Sequence, residues 1–121
     1  NWEAILFAAH HKLDNLVTII DRNQLQSIYS TEDTLALEPF IDKWKSFGWE
    51  VSEVDGHNHE EIFKACNNIK APRNKPLCII ANTIKGKNVS FMENNTLWHY
   101  RSPQGHEYKL AIAELEKKDE R

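Results

Sequence analysis

Two runs in this chain, Leu16-Val-Thr-Ile-Ile20 and Leu77-Cys-Ile-Ile-Ala81, are apolar almost throughout. Short runs without alternation are the mark of strands buried on both faces, as in a parallel sheet covered by helices. A third run, Trp49-Glu-Val-Ser-Glu-Val54, alternates apolar and polar residues and predicts a half-buried strand ending in the turn Asp55-Gly56. Around these runs lie four stretches with apolar residues at helical spacing. Trp2, Ile5, Leu6, Ala9 and Leu13 predict an amphipathic helix over 2–12. Phe40, Ile41, Trp44 and Phe47 predict a short helix opened by Pro39 and closed by Gly48. Ile62, Phe63, Cys66 and Ile69 form a stripe entered through a capping box, Asn58 with Glu61. Tyr108, Ala111, Ile112 and Leu115 mark a last helix, with Ser102 as N-cap and Pro103 as its first residue. Helix and strand alternate through the whole chain. That order predicts an α/β fold, a parallel sheet with helices on both faces and right-handed crossovers. Three strands make a small sheet, so further strands are expected upstream of residue 1.

The totals agree with a globular chain. There are 121 residues, 40% hydrophobic and 27% charged, with a net charge of −3. Such a balance excludes a disordered polymer, and the absence of a basic run argues against a nucleic-acid surface. No apolar stretch approaches the length of a membrane span. The chain opens on Asn-Trp-Glu and goes directly into a helical pattern, with neither a signal peptide nor an initiator Met. Cys66 and Cys78 lie within apolar patterns and read as reduced core residues of a cytosolic, cytoplasmic protein.

The polar stretch Asp21-Arg-Asn-Gln-Leu-Gln-Ser27 follows the first strand. In open α/β sheets ligands bind beyond the carboxyl ends of the strands. An Asn side-chain oxygen and a nearby backbone carbonyl are hard donors suited to Mg²⁺ or Ca²⁺; Asp and Asn are also ordinary turn formers. Residues 21–36 carry no clear period and form a connection longer than most, with Ser30-Thr-Glu-Asp-Thr34 either functional or a solvated surface. A loop is expected over 71–76; after the third strand come Ile84-Lys-Gly-Lys-Asn-Val-Ser90 and an irregular stretch to Arg101. His10 and His11 suit the end of the first helix. His57 and His59 lack a third ligand at useful spacing and read as polar residues at a helix entry. The charged tail, Glu114 to Arg121, is expected to fray.

Five segments, Asn1-Trp-Glu-Ala, Asp21-Arg-Asn-Gln-Leu25, Val54-Asp-Gly-His57, Asn82-Thr-Ile-Lys-Gly86 and Leu97-Trp-His-Tyr-Arg-Ser-Pro103, occur in an order that resembles transketolase. More narrowly, they resemble the thiamine-diphosphate-binding N-terminal domain of one-chain and split transketolases, over nearly the whole chain. The resemblance implies a thiamine-diphosphate-binding fold that is incomplete at the N-terminus, the 121 residues being the C-terminal part of a single such domain. In that family a motif opens with Gly-Asp-Gly and closes in an Asn. Asn23 matches the closing Asn and would give its side-chain oxygen to Mg²⁺; Leu25 would give its backbone carbonyl; Mg²⁺ would hold the diphosphate of the cofactor. His99 matches a family histidine near the diphosphate and the sugar channel, where hydrogen bonding and proton handling are implied. The Gly-Asp-Gly opening would fall several residues before Asn1. Asn88 stands where the family usually has Gly, and Asn tolerates positive φ.

The activity so implied is transfer of two-carbon ketol units between sugar phosphates, a step of the pentose phosphate pathway, with the thiazolium carbanion of the cofactor attacking the donor ketose. The implied partner is the second, pyrimidine-binding half of the enzyme, as a domain or a subunit, in a homodimer or heterotetramer. Alternatives are another thiamine-diphosphate enzyme (a deoxyxylulose-phosphate synthase or a 2-oxo-acid dehydrogenase component), a non-catalytic α/β interaction module that kept the fold and lost the site, and a flavodoxin-like binding domain, for which no phosphate loop is seen.

Overall fold

The computed structural model of the protein describes residues 1–67, 69 and 72–119. The predicted loop 71–76 begins, and the charged tail ends, outside the described residues. Helix α1 (Trp2–His10) leads to strand β1 (Val17–Arg22), a short antiparallel pair β2 (Leu25–Gln26) and β3 (Tyr29–Ser30), and helices α2 (Thr31–Leu35) and α3 (Phe40–Ser46). Strand β4 (Glu50–Asp55), helix α4 (His59–Asn67), strand β5 (Leu77–Asn82), a 3₁₀ turn (Thr96–His99) and helix α5 (His106–Asp119) complete the chain. The residues fall into two compact units. A sheet unit holds Asn1–Arg22 and Ala36–Thr83; a loop unit holds Asn23–Leu35 and Ile84–Arg121.

In the sheet unit β5 is central and pairs in parallel with both neighbours, giving the order β1-β5-β4. Every residue of β5 from Leu77 to Ala81 is buried, as its unbroken apolar run predicts. Its side chains divide by parity, as strand geometry requires. Cys78 and Ile80 join Ile5 and Ala8 of α1, Phe40 and Trp44 of α3, and Trp49 in one core; Leu77, Ile79 and Ala81 join Val54 and, from the α4 side, Ile62, Ala65, Cys66 and Ile69 in another. Helices therefore cover both faces. The cysteines are free, and burial pushes the Cys78 thiol up to about 12, so it acts as a small apolar residue.

Several local predictions take their expected form. Asn58 Oδ1 accepts from the Glu60 and Glu61 amides at 3.0 and 3.3 Å, and Asn58 Nδ2 donates to Glu61 Oε1 at 3.0 Å. Gly48, just past α3, sits at φ +89° and donates its amide to the Lys45 carbonyl. Pro39, however, is the N-cap of α3 rather than its first residue.

The first strand is not buried on both faces. It is an outer strand of the sheet, Ile19 is 60% exposed, and its paired span runs to Arg22. The physical reason is position: β1 has a hydrogen-bonded neighbour on one side only among the described residues. The first helix ends at His10, and Phe63 points away from the α4 core. The last helix starts at His106, beyond Ser102-Pro103: the Lys109 amide reaches the carbonyl of Gly105, whose φ of +54° turns the chain into the helix. On α5 only Ala111 of the predicted stripe is buried, while Tyr108, Ile112 and Leu115 remain partly exposed.

Trp49, just before β4, ties the layers together by donating its indole N–H to the Ile5 carbonyl at 2.8 Å in a buried setting. Trp49→Phe removes that donor and part of a buried side chain. It is expected to destabilise the protein by about 2 kcal/mol, read as a lower urea midpoint at unchanged slope.

The end of β1 is fixed by charge. Arg22 is 7% exposed, donates to Glu38 Oε1 at 2.8 Å and lies 5.6 Å above the Phe40 ring; Glu38 Oε2 accepts the Phe40 amide at 2.8 Å. The hydrogen bond from Arg22, then the one from the Phe40 amide, holds the Glu38 carboxyl below its ordinary 4.5. A carboxyl lowered in the folded state stabilises fully above its unfolded value and loses that contribution as pH falls through its folded one. Stability should therefore decline below about pH 4.5 with a component that Glu38→Gln removes, measured by thermal melting across pH 2.5–6.

Candidate functional site

The site is built on the loop unit. After Asn23 the chain makes a tight polar turn: Asn23 Oδ1 accepts the Leu25 amide at 2.9 Å, and Gln24 adopts φ +60°. The two-residue strands β2 and β3 pair Leu25 with Ser30 and Gln26 with Tyr29. The Gln24 carbonyl accepts the Thr31 amide at 2.9 Å, and Ser30 Oγ accepts the Asp33 amide at 3.1 Å. The stretch expected to be without period is thus a closed hairpin running into a one-turn helix. Strands of two residues carry no period to read.

A second segment supplies the other wall. Gly86 adopts φ +70° with Met92 packed against it, Asn88 adopts φ +75°, and the Asn94 amide reaches the Lys85 carbonyl at 3.0 Å. Asn at 88 thus takes the left-handed conformation expected of it. The following 3₁₀ turn carries Thr96 and His99. In such a turn side chains three apart eclipse, so these two point the same way. Trp98 is buried between them, its ring 5.0 Å from Phe91 and under the Arg101 guanidinium at 4.6 Å.

These segments enclose a pocket of about 140 Å³ lined by Asn23, Leu25, Gln26, Ser27, Lys85, Thr96 and His99. The neighbouring Asn23 and Leu25, and His99 from a distant part of the chain, line one cavity. Whole small-molecule sites occupy roughly 300–1,000 Å³, so this pocket suits one polar end of a ligand. Its lining is a cation, an imidazole, an amide oxygen, hydroxyls and an amide NH₂, the groups that hold phosphate and a hard cation. Asn23 Oδ1 has two lone pairs, so the turn leaves one for a metal. Among the described residues no three His, Cys, Asp or Glu side chains cluster as a metal site. Lys85 belongs to the segment Asn82–Gly86, but nothing in the sequence marks it as a pocket residue; the Asn94 amide bonded to its carbonyl has no local signal.

A larger groove of about 500 Å³ lies in the sheet unit between α1, α3 and β1, lined mainly by Trp2, Ile5, Leu16, Ile20, Phe40, Trp44 and Trp49. It is apolar and carries no phosphate chemistry. His57 and His59 are exposed.

Residues 1–114 match the family model described as transketolase, thiamine diphosphate binding domain. The chain belongs to this family. Among curated relatives it is 45% identical over 120 residues to an apulose-4-phosphate transketolase subunit of Actinobacillus succinogenes, covering 99% of this chain and 42% of that protein. It is 43% identical over 116 residues to a 6-deoxy-6-sulfo-D-fructose transketolase subunit of a Clostridium species, covering 96% of this chain and 42% of that protein. Among solved structures, transketolase from Campylobacter jejuni superposes with a TM-score of 0.72 at 32% identity, over 79% of this chain and 15% of that one. The chain thus spans less than half the length of these transketolase relatives. The family match supports thiamine diphosphate as the ligand type of the domain. No helix among the described residues is long and apolar enough to cross a membrane.

Proposed function

We propose that this chain is the C-terminal part of the single thiamine-diphosphate domain of a transketolase. The complete protein would move a two-carbon ketol unit from a ketose to an acceptor aldose, both phosphorylated. The observation that carries the proposal is the convergence of Asn23, Leu25 and His99, with Lys85, on one small polar pocket.

In this assignment the Asn23 side-chain oxygen and the Leu25 carbonyl ligate Mg²⁺, two neutral hard donors that leave the ion its charge for a diphosphate. Lys85 adds a positive charge to the same anion. His99, an exposed residue of the lining, would hydrogen-bond substrate hydroxyls and hold or release a proton as the ketol unit is transferred. Bound thiamine diphosphate would supply the nucleophilic carbon that carries the unit between sugars. Remaining metal ligands, and the acid that activates the aminopyrimidine, would come from outside these 121 residues.

Two relatives are named as subunits, which favours a second subunit bearing the pyrimidine-binding half, assembled as a heterotetramer; a one-chain homodimer is the other arrangement. A cytoplasmic location and a place in sugar-phosphate interconversion, such as the pentose phosphate pathway, accord with phosphorylated substrates.

The test is calorimetric titration of thiamine diphosphate with Mg²⁺ into these 121 residues alone and into the complete protein with its partner half. Binding by the complete protein only is expected. A complete protein that is folded yet takes up no cofactor would sink the enzyme assignment and leave a binding module with a transketolase fold.

A further inference from the structure

The groups that line the pocket from the second wall do not hold themselves in place. Thr96 and His99 ride on a single 3₁₀ turn of four residues, too short to persist on its own. What makes the turn is Asn95. Its Oδ1 accepts the Leu97 amide at 3.0 Å, its carbonyl accepts the Trp98 amide at 3.3 Å, and its own amide donates to the Met92 carbonyl at 3.2 Å. Its Nδ2 points to the Phe91 carbonyl at 3.4 Å, the same oxygen that takes the Trp98 indole N–H at 2.9 Å. Asn95 is thus joined to both the start of the turn and the anchor that buries its middle. The residue before it, Asn94, is the one whose amide bonds Lys85, and Glu93 Oε1 accepts the Asn88 amide at 2.9 Å. Three consecutive residues, 93–95, therefore join the turn that carries Lys85 to the His99 turn.

We propose that Asn95 is a positioning residue: through the cap it places on the Thr96–His99 turn, it fixes the His99 imidazole at the pocket beside Lys85. Its catalytic consequence rests on the transketolase assignment; its structural consequence does not.

The experiment uses the complete protein with its partner half and has two readouts. The first is the imidazole ¹H–¹⁵N signals of His99 without cofactor, assigned by their loss in His99→Gln. Asn95→Ala should shift or broaden them, while Asn95→Asp and Asn95→Ser, which keep a capping oxygen, should leave them near their original positions. The second is steady-state kinetics. Asn95→Ala should lower kcat/KM on the order of tenfold to a hundredfold, the two capping variants should recover most of it, and adding Asn95→Ala to His99→Gln should cost little more. Unchanged His99 signals in Asn95→Ala, or kinetic losses that multiply fully with those of His99→Gln, would overturn the proposal. If the His99 signals respond as expected but the unaltered protein transfers no ketol unit, the positioning role stands and the enzyme assignment falls.

Discussion

Asn23→Ala in the complete protein is expected to weaken Mg²⁺-dependent thiamine diphosphate binding on the order of a hundredfold. Residues that merely support a metal ligand cost about ten- to a hundredfold when lost, and Asn23 is proposed as a ligand itself. The substitution also removes the acceptor of the Leu25 amide, which shapes the turn carrying the second proposed donor. The two effects separate in Asn23→Asp, which keeps an oxygen for the amide and adds charge for the cation. Calorimetry should show Asn23→Asp binding far more tightly than Asn23→Ala, with both proteins melting within a few degrees of the original. Binding by Asn23→Ala at the original strength would remove Asn23 from the metal site and, with it, the central ligand of the proposed function.

Gly86→Ala should be the most damaging small substitution in the loop unit. A Cβ there would lie 2.6 Å from the Met92 carbonyl oxygen and 2.7 Å from its carbon, both backbone atoms that cannot swing away, and φ is +70°. Overpacking and left-handed backbone strain each cost about 1–3 kcal/mol, so a loss of about 3 kcal/mol is expected. Gly105→Ala serves as the comparison: φ is +54° but nothing lies within 4 Å of the added carbon, so only about 1 kcal/mol should be lost. Hydrogen exchange would locate the damage. The Asn94 and Val89 amides, bonded to Lys85 and Gly86, should lose protection in Gly86→Ala, whereas β5 should keep its own. Equal protection at Asn94 in both proteins would mean that the Lys85 wall does not depend on this glycine.

Much of the sheet could be read in the sequence because its signals are local. The unbroken run in β5 reports burial on two faces, and the Asn58–Glu61 pair reports a helix start, through residues that are neighbours in the chain. What failed was decided elsewhere. The run at β1 looks like β5, yet Ile19 is exposed because β1 lies on the outside of the described sheet. Ser102-Pro103 has the chemistry of a helix start, but the chain enters α5 through Gly105. The exposed stripe of α5 shows that amphipathic spacing gives a face without giving what covers it. For the proposed site, Asn23, Leu25 and His99 are legible through the resemblance; Lys85 is held by the Asn94 amide, a contact with no pattern in the sequence, whereas Asn95 bonds only near neighbours and carries the local signal of an Asn ahead of a short turn.

The parallel pairing has a consequence for how the protein comes into being. The strand that gives both β1 and β4 their hydrogen bonds is the last of the three to leave the ribosome. Among the described strands, the two earlier ones have no ladder to join until Leu77–Asn82 has emerged, and parallel neighbours cannot satisfy each other through a hairpin. Pairing Val17 with Leu77 closes a long loop before any reward is gained. During that interval the nascent chain carries Ile5, Phe40, Trp44 and Trp49 without the strand they pack against. In that interval the exposed apolar side chains are open to misassociation.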